Sequence, residues 1–158
     1  MRAALLERAR RAIRPGRLRA LFLTALNRHQ DRLADVQEAS LCHDDLHQHN
    51  ILFRREGECW LLATILDFDK AWAGHRESDL ARLDLWTGMT GPDFWSGYAQ
   101  HCPVDPAYPR RRGLYQLLWC LEYARPTPKH EADTRRVCAD LGLPLPSDGP
   151  LFGSTDQR

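Results

Sequence analysis

Positions 42–50 read Cys42-His43-Asp44-Asp45-Leu46-His47-Gln48-His49-Asn50, which puts six ionisable or metal-capable side chains into the eight positions 42–49. Packing a core does not call for that density of polar groups. Further on, an apolar segment runs out through Ile65-Leu66-Asp67-Phe68-Asp69. A strand end is where a carboxylate can leave the core and face a cleft. Asn50 and Asp67 offer oxygen donors of the kind a hard cation such as magnesium takes. Asp45 offers a carboxylate that can orient or deprotonate a hydroxyl. Phosphoryl transfer needs both kinds of group, one at the attacking hydroxyl and one set around a cation that neutralises phosphate charge. Four residues separate Asp45 from Asn50, enough for the loop to turn so that both face one cleft.

The elements that must position these residues are legible from periodicity. Residues 2–13 read as a helix that Pro15-Gly16 breaks. Leu18, Leu21, Phe22, Ala25, Leu26, His29 and Leu33 recur at three and four, predicting a second helix to about Ala34. Residues 35–50 lack a period and read as a loop. Ile51-Leu52-Phe53 reads as a short strand, Arg54 to Glu58 as a turn, and Cys59 to Leu66 as the returning strand, so one hairpin lies between the two acid-bearing segments. Ser78 reads as the N-cap of a helix through Leu80, Leu83, Leu85 and Trp86, with Glu77 a solvated acid in its first turn. Gly91-Pro92 starts a helix through Phe94, Trp95 and Tyr98. Pro103, Pro106 and Pro109 mark a rigid loop at 102–109. Leu114, Leu117, Leu118 and Leu121 give the most apolar helix, ended by Pro126 and Pro128. A last helix covers 129–141 and stops at Gly142. The segment after Pro144 reads as a loose tail.

Composition excludes several function classes. The chain has 158 residues, 43% hydrophobic and 27% charged, and a net charge of +1 from 22 basic and 21 acidic residues. It can bury a core, and it is not a polyanion-binding protein by charge. The 20 arginines against two lysines, Lys70 and Lys129, form no aromatic-interleaved stripe that would bind nucleic acid. No apolar run is long enough for a membrane helix. Residues 1–19 hold seven arginines, but the apolar run after them ends at Asn27-Arg28-His29 with no small-residue cleavage site, so they read as an amphipathic helix and not a leader. Five dispersed cysteines with no CxxC argue for a reducing, cytoplasmic setting and for cysteines that act as small buried hydrophobes.

The spacing His43-x-Asp45-x-x-x-x-Asn50, followed by Asp67 after an apolar pair, follows the catalytic-loop and metal-binding pattern of kinases. In detail it resembles the aminoglycoside phosphotransferase and choline kinase group. That family reads H-G-D-L-H-P-G-N-I-L, then a hairpin, I-D-F or I-D-W, and G-x-x-x-x-D-L-A. Here the segments are His43-Asp44-Asp45-Leu46-His47-Gln48-His49-Asn50-Ile51-Leu52, Leu66-Asp67-Phe68-Asp69 and Gly74-His75-Arg76-Glu77-Ser78-Asp79-Leu80-Ala81. The last is also similar to a segment of fructosamine kinases. Three motifs in order make the match specific over about residues 40–125.

The resemblance implies an α+β, mainly helical fold: a protein-kinase-like C-lobe over residues 1–143, with a small β-hairpin after the catalytic loop and a loose tail at 144–158. It implies a catalytic loop at 43–50 and a metal-binding segment at 65–69. Asp45 would be the catalytic residue, Asn50 and Asp67 would hold Mg2+, ATP would be the co-substrate, and His43 and Asp79 would support the loop. Asp69 would face metal or substrate. Asp44 and Gln48-His49 depart from the family's Gly and Pro-Gly. The implied partner is a small molecule with a hydroxyl, with no nucleic acid and no membrane. An acidic cleft from Asp44, Asp69 and Glu77 would favour a cationic one.

A nucleotide lobe with a glycine-rich loop needs on the order of 100 residues, whereas 42 residues precede His43. The chain therefore reads as the C-lobe without its N-terminal lobe, expected to bind ATP weakly, to transfer phosphate negligibly, and to self-associate through the uncovered surface. Two alternatives stay open. One is a non-catalytic remnant or pseudokinase. The other is a metal-dependent hydrolase built on His43, Asp44, Asp45, His47 and His49, with histidines that serve more readily as loop support.

Overall fold

The structure is a computed structural model that describes residues 1–36, 38–86, 89–123, 127–145 and 150–152. It is α+β and mainly helical, as a kinase-like C-lobe requires. The chain forms two compact units, one from residues 1–38 and 106–158, the other from residues 39–105.

The first unit is helical. Helices α1 (Arg2–Ala12), α2 (Arg17–Arg28), α5 (Tyr108–Glu122) and α6 (Pro128–Asp140) pack around α5, and a 3-10 turn at Gln30–Leu33 follows α2. The apolar stripe predicted for α2 is buried at Leu18, Phe22, Ala25 and Leu26, against a core that includes Leu114, Tyr115, Leu117, Leu118 and Leu121. Arg8 of α1 pairs with Glu122 of α5 at 2.6 Å. Pro128 begins α6 and does not end the helix before it; its missing N–H costs nothing in a first turn. Thr127 caps α6 by accepting the His130 N–H at 3.2 Å. Gly142, at φ +63°, closes the helix, with Leu143 N bonded to Cys138 O at 2.9 Å. Pro109 lies within the first turn of α5, so the proline loop is shorter than its spacing suggests. Pro126 lies outside the described residues. The expected loose tail is anchored at two points, because Leu151 and Phe152 are buried; 146–149 and 153–158 lie outside the described residues.

The second unit holds two small antiparallel sheets and two helices, α3 (Glu77–Leu83) and α4 (Pro92–His101). Strands β2 (Ile51–Glu56) and β3 (Cys59–Ile65) form the predicted hairpin, paired from Ile51↔Ile65 to Glu56↔Cys59. Its turn is tighter than expected: Arg54 and Arg55 belong to β2, and Gly57, at φ +61°, makes the reversal. A second sheet, absent from the periodicity, pairs β1 (Ser40–Cys42) with β4 (Trp72–Gly74). Gly74 is required there, since a Cβ would sit 2.7 Å from the Trp72 ring and 2.9 Å from Cys42 Sγ. No helix among the described residues is long and apolar enough to cross a membrane.

Candidate active site

Strand β1 delivers the chain directly into His43, and the hairpin begins one residue after Asn50, so the loop 43–50 is pinned at both ends. At its near end, both carboxylate oxygens of Asp79 accept backbone N–H groups: His43 N at 2.9 Å and Asp44 N at 2.7 Å. Charge-assisted bonds of this kind fix a backbone firmly. At the far end, Leu66 N donates to Asn50 O at 2.8 Å, carrying the ladder of the hairpin to its base. Asn50 and the residue before Asp67 are thus adjacent across the two strands.

Asp44 and Asp67 are the two non-glycine residues with positive φ among the described residues, at 60° and 63°. The left-handed region disfavours side chains with a Cβ, and Asp is among the few that enter it. Asp44 stands where the resembling family has glycine, and this conformation gives the physical reason for glycine there. The Asp44 side chain is buried and accepts a bond from Ser78 Oγ at 3.2 Å. Ser78 therefore braces the loop and does not cap α3, whose N-cap position is Arg76.

His43 is buried, donates from Nε2 to Leu66 O at 2.8 Å, and accepts Asp45 N at Nδ1 over 3.2 Å. These two bonds define the Nε2–H tautomer. Its ring lies 4.4 Å from that of Phe68. Asn50 is buried and donates from Nδ2 to Asp45 O at 3.0 Å. The Asn50 Oδ1 and the Asp67 carboxylate make no hydrogen bond or ion pair among the described residues. Asp67 and Asp69 are exposed.

Asp45 is buried and carries two cationic partners that the sequence reading did not single out. Arg82 Nη2 donates to its Oδ1, and Lys70 Nζ to its Oδ2 at 3.0 Å. Burial alone would raise the pKa of Asp45. The Lys70 hydrogen bond and the charges of Arg82, Lys70 and His47 outweigh it and hold the carboxyl below its ordinary value. His47 Nε2 is 3.8 Å from the same Oδ1, and burial pushes the pKa of that imidazole down despite the pull of Asp45. A signal for Arg82 existed: it lies three and four residues beyond Asp79 and Ser78, on the helix face that already serves the loop. Lys70 directly follows Asp69, so the loop that presents Asp67 presents it as well.

Two expectations for the acids are corrected. Glu77 is not solvated: it is 2% exposed and sits 3.3 Å from His75 Nδ1. Asp44 is buried too, so of Asp44, Asp69 and Glu77 only Asp69 stays exposed to line a cleft. Cys59 is exposed, unlike the small buried hydrophobes Cys42, Cys120 and Cys138; burial pushes the thiols of Cys120 and Cys138 up to about 12 and about 11. Among the described residues, no three His, Cys, Asp or Glu side chains gather as a metal site.

An α+β, mainly helical chain whose hairpin follows a braced His-Asp-Asp loop fits the protein-kinase-like phosphotransferase superfamily, to which the chain belongs. Within that superfamily, the fructosamine kinase family model matches residues 6–136, and the chain belongs to that family. It is similar to a probable ketoamine kinase of Vibrio parahaemolyticus, 33% identical over 87 residues, which are 54% of this chain and 27% of that protein. It is 32% identical over 79 residues to a probable ketoamine kinase of Pasteurella multocida, covering 49% of this chain and 27% of that one. A chloroplastic protein-ribulosamine 3-kinase of Oryza sativa subsp. indica is 33% identical over 88 residues, 56% of this chain and 24% of the plant protein. The matched segment thus spans about a quarter of these curated relatives. No solved structure matches the chain significantly.

Proposed function

We propose that the chain carries phosphotransfer chemistry of a small-molecule kinase, moving the γ-phosphoryl group of ATP to a hydroxyl of a ketoamine, the sugar–amine class named in its relatives. The observation that supports this most is the loop itself. Asn50 bonds the Asp45 carbonyl, and the base of the hairpin ties Asn50 to Leu66, one residue before the exposed Asp67. On this reading Asp45 orients the hydroxyl and takes its proton, while Asp79 and His43 hold the loop in shape. Asn50 Oδ1 and the Asp67 carboxylate would hold Mg2+, and Asp69 would stand toward metal or substrate. Both donors are hard oxygens without a competing protein partner among the described residues. Two protein ligands suit a cation that keeps water and phosphate oxygens in its remaining positions. When bound, magnesium neutralises triphosphate charge. Kinship with the aminoglycoside phosphotransferase and choline kinase group belongs to the same reading and rests on the three motifs.

One observation favours a second reading, a non-catalytic member. Both oxygens of Asp45 are engaged by cations, Arg82 on Oδ1 and Lys70 on Oδ2, as in a structural ion-pair network. The two readings separate on the 158-residue chain assayed with ATP, magnesium and N-fructosylglycine as a simple ketoamine. Asp45→Asn should lower turnover about 10³-fold, within the usual range for a positioned acid–base group. Turnover unaffected by Asp45→Asn would sink the kinase reading; weak ATP binding by this chain alone would not, since a C-lobe without its nucleotide lobe is expected to bind ATP weakly.

A further inference from the structure

The two cations on Asp45 differ in a way that assigns them different parts. The Arg82 side chain is 2% exposed and belongs to α3, the helix that braces the loop. The Lys70 side chain is 36% exposed and sits in the segment between β3 and β4. A hydroxyl must come within roughly 3 Å of a carboxylate oxygen to hand over its proton. Arg82 donates to Oδ1 from the buried side, whereas the Lys70 ammonium sits 3.0 Å from Oδ2. A hydroxyl that binds Oδ2 therefore comes up against Lys70 and competes with it for the carboxylate.

The place to which Lys70 would move follows from charge. A hydroxyl poised for attack lies about 3–3.5 Å from phosphorus. The oxygens of the transferring group then come within several ångströms of the site Lys70 vacates. A lysine ammonium on a four-carbon stem can turn through that distance and keep three donors. A carboxyl that accepts the hydroxyl proton loses its hold on an ammonium, while the phosphoryl oxygens still carry charge that an ammonium can pair.

We propose that Lys70 is a catalytic residue: its ammonium caps Asp45 Oδ2 at rest and passes to the non-bridging oxygens of the transferring phosphoryl group when a hydroxyl takes that oxygen. In the step, the hydroxyl oxygen bonds the γ-phosphorus and the β–γ bridging bond breaks. Its electron pair leaves with ADP, and the hydroxyl proton goes to Asp45 Oδ2. Lys70 stays an ammonium throughout. The inference rests on the kinase reading, and it explains the capped Asp45 without requiring an inactive protein.

The chain has two lysines, Lys70 and Lys129, so the lysine region of a spectrum is almost empty. Reductive methylation of the 158-residue chain with 13C-formaldehyde gives each lysine its own NMR signal, assigned by Lys129→Arg. Lys129 pairs with Asp133 on α6 and serves as the internal control. Asp45→Asn should move the Lys70 signal. Saturation with magnesium, ADP and aluminium fluoride, a mimic of the phosphoryl group in flight, should also move it, leaving Lys129 in place. In the ketoamine assay, Lys70→Met should lower kcat about 100-fold, the scale for losing one preorganised donor to developing charge. KM for ATP should change by less than about threefold, and Lys70→Arg should recover part of the rate. Nucleotide bound while the Lys70 signal stays at its resting position would overturn the inference and leave the kinase reading standing. Transfer that proceeds unchanged in Asp45→Asn would defeat the kinase reading, and the role of Lys70 with it.

Discussion

The two units bury different mixtures of residue. In the helical unit, buried groups are overwhelmingly apolar, with Leu5, Phe22, Leu114, Leu117 and Val137 fully enclosed. The sheet-bearing unit buries His43, Asp44, Asp45, Asn50, Glu77, Ser78 and Arg82, and exposes Leu41, Leu52, Phe53, Trp60, Leu61, Leu62, Leu66 and Phe68. Among the described residues, the large exposed apolar side chains all lie from position 41 to position 68. A charge is kept out of water only when something pairs it. Here Asp45 pairs with Arg82 and Lys70, Glu77 with His75, and Asp79 with two backbone N–H groups. The difference teaches that one unit rests on packing, while the other adds to a smaller apolar core, with Leu80, Leu83 and Leu85, a polar network around a fixed loop geometry. Positive φ at Asp44 and Asp67 belongs to the same pattern, because strained backbone gathers where geometry matters more than stability.

That contrast can be broken at several points. Phe22→Ala removes a fully buried ring from α2 and should cost about 3–5 kcal/mol in urea unfolding of the whole chain. A cost below about 1 kcal/mol would mean that packing does not hold the helical unit.

A smaller effect is expected from pH. His130 is buried, donates to Cys120 O at 2.8 Å from Nε2, and has its pKa lowered by burial. Its contribution is therefore complete above pH 6.5, where folded and unfolded chains both hold it neutral. Below that, the unfolded chain takes up a proton that the fold resists, so stability falls, by at most about 1.4 kcal/mol per pH unit for one proton. Denaturation at pH 7.5 and 5.5 should show that decline, reduced in His130→Gln. An unchanged decline in the variant would place the sensitivity elsewhere.

The smallest effect tests the other side of the contrast. Trp60→Ser on the exposed hairpin should change stability by no more than about 0.5 kcal/mol, since little of that ring is taken from water. A loss of several kcal/mol would show that the hairpin is covered in solution.

Local pattern alone specified much of the frame. Apolar residues recurring at three and four mark α2 and α5, Gly91-Pro92 marks the start of α4, and Gly142 marks the end of α6, because each signal lies within a few helical turns. The hairpin was legible for the same reason: its strands are adjacent in sequence and Gly57 can reverse the chain between them. Strands β1 and β4 were not. Each has three residues, too few for an alternation, and their pairing of Cys42 with Trp72 spans thirty residues.

For the candidate site, residue types and spacing named Asp45, Asn50 and Asp67 as groups able to do chemistry, since side-chain chemistry is written in the sequence. Only the tertiary structure decided which charges meet. Lys70 and Arg82 lie 25 and 37 residues beyond Asp45 and reach it through different segments. Glu77 looked like an ordinary first-turn acid until His75 enclosed it, and Ser78 looked like a cap until Asp44 took its hydroxyl proton into a hydrogen bond. Whether a charged side chain is solvated or paired depends on partners that folding brings from elsewhere in the chain, and a one-dimensional pattern does not contain those distances.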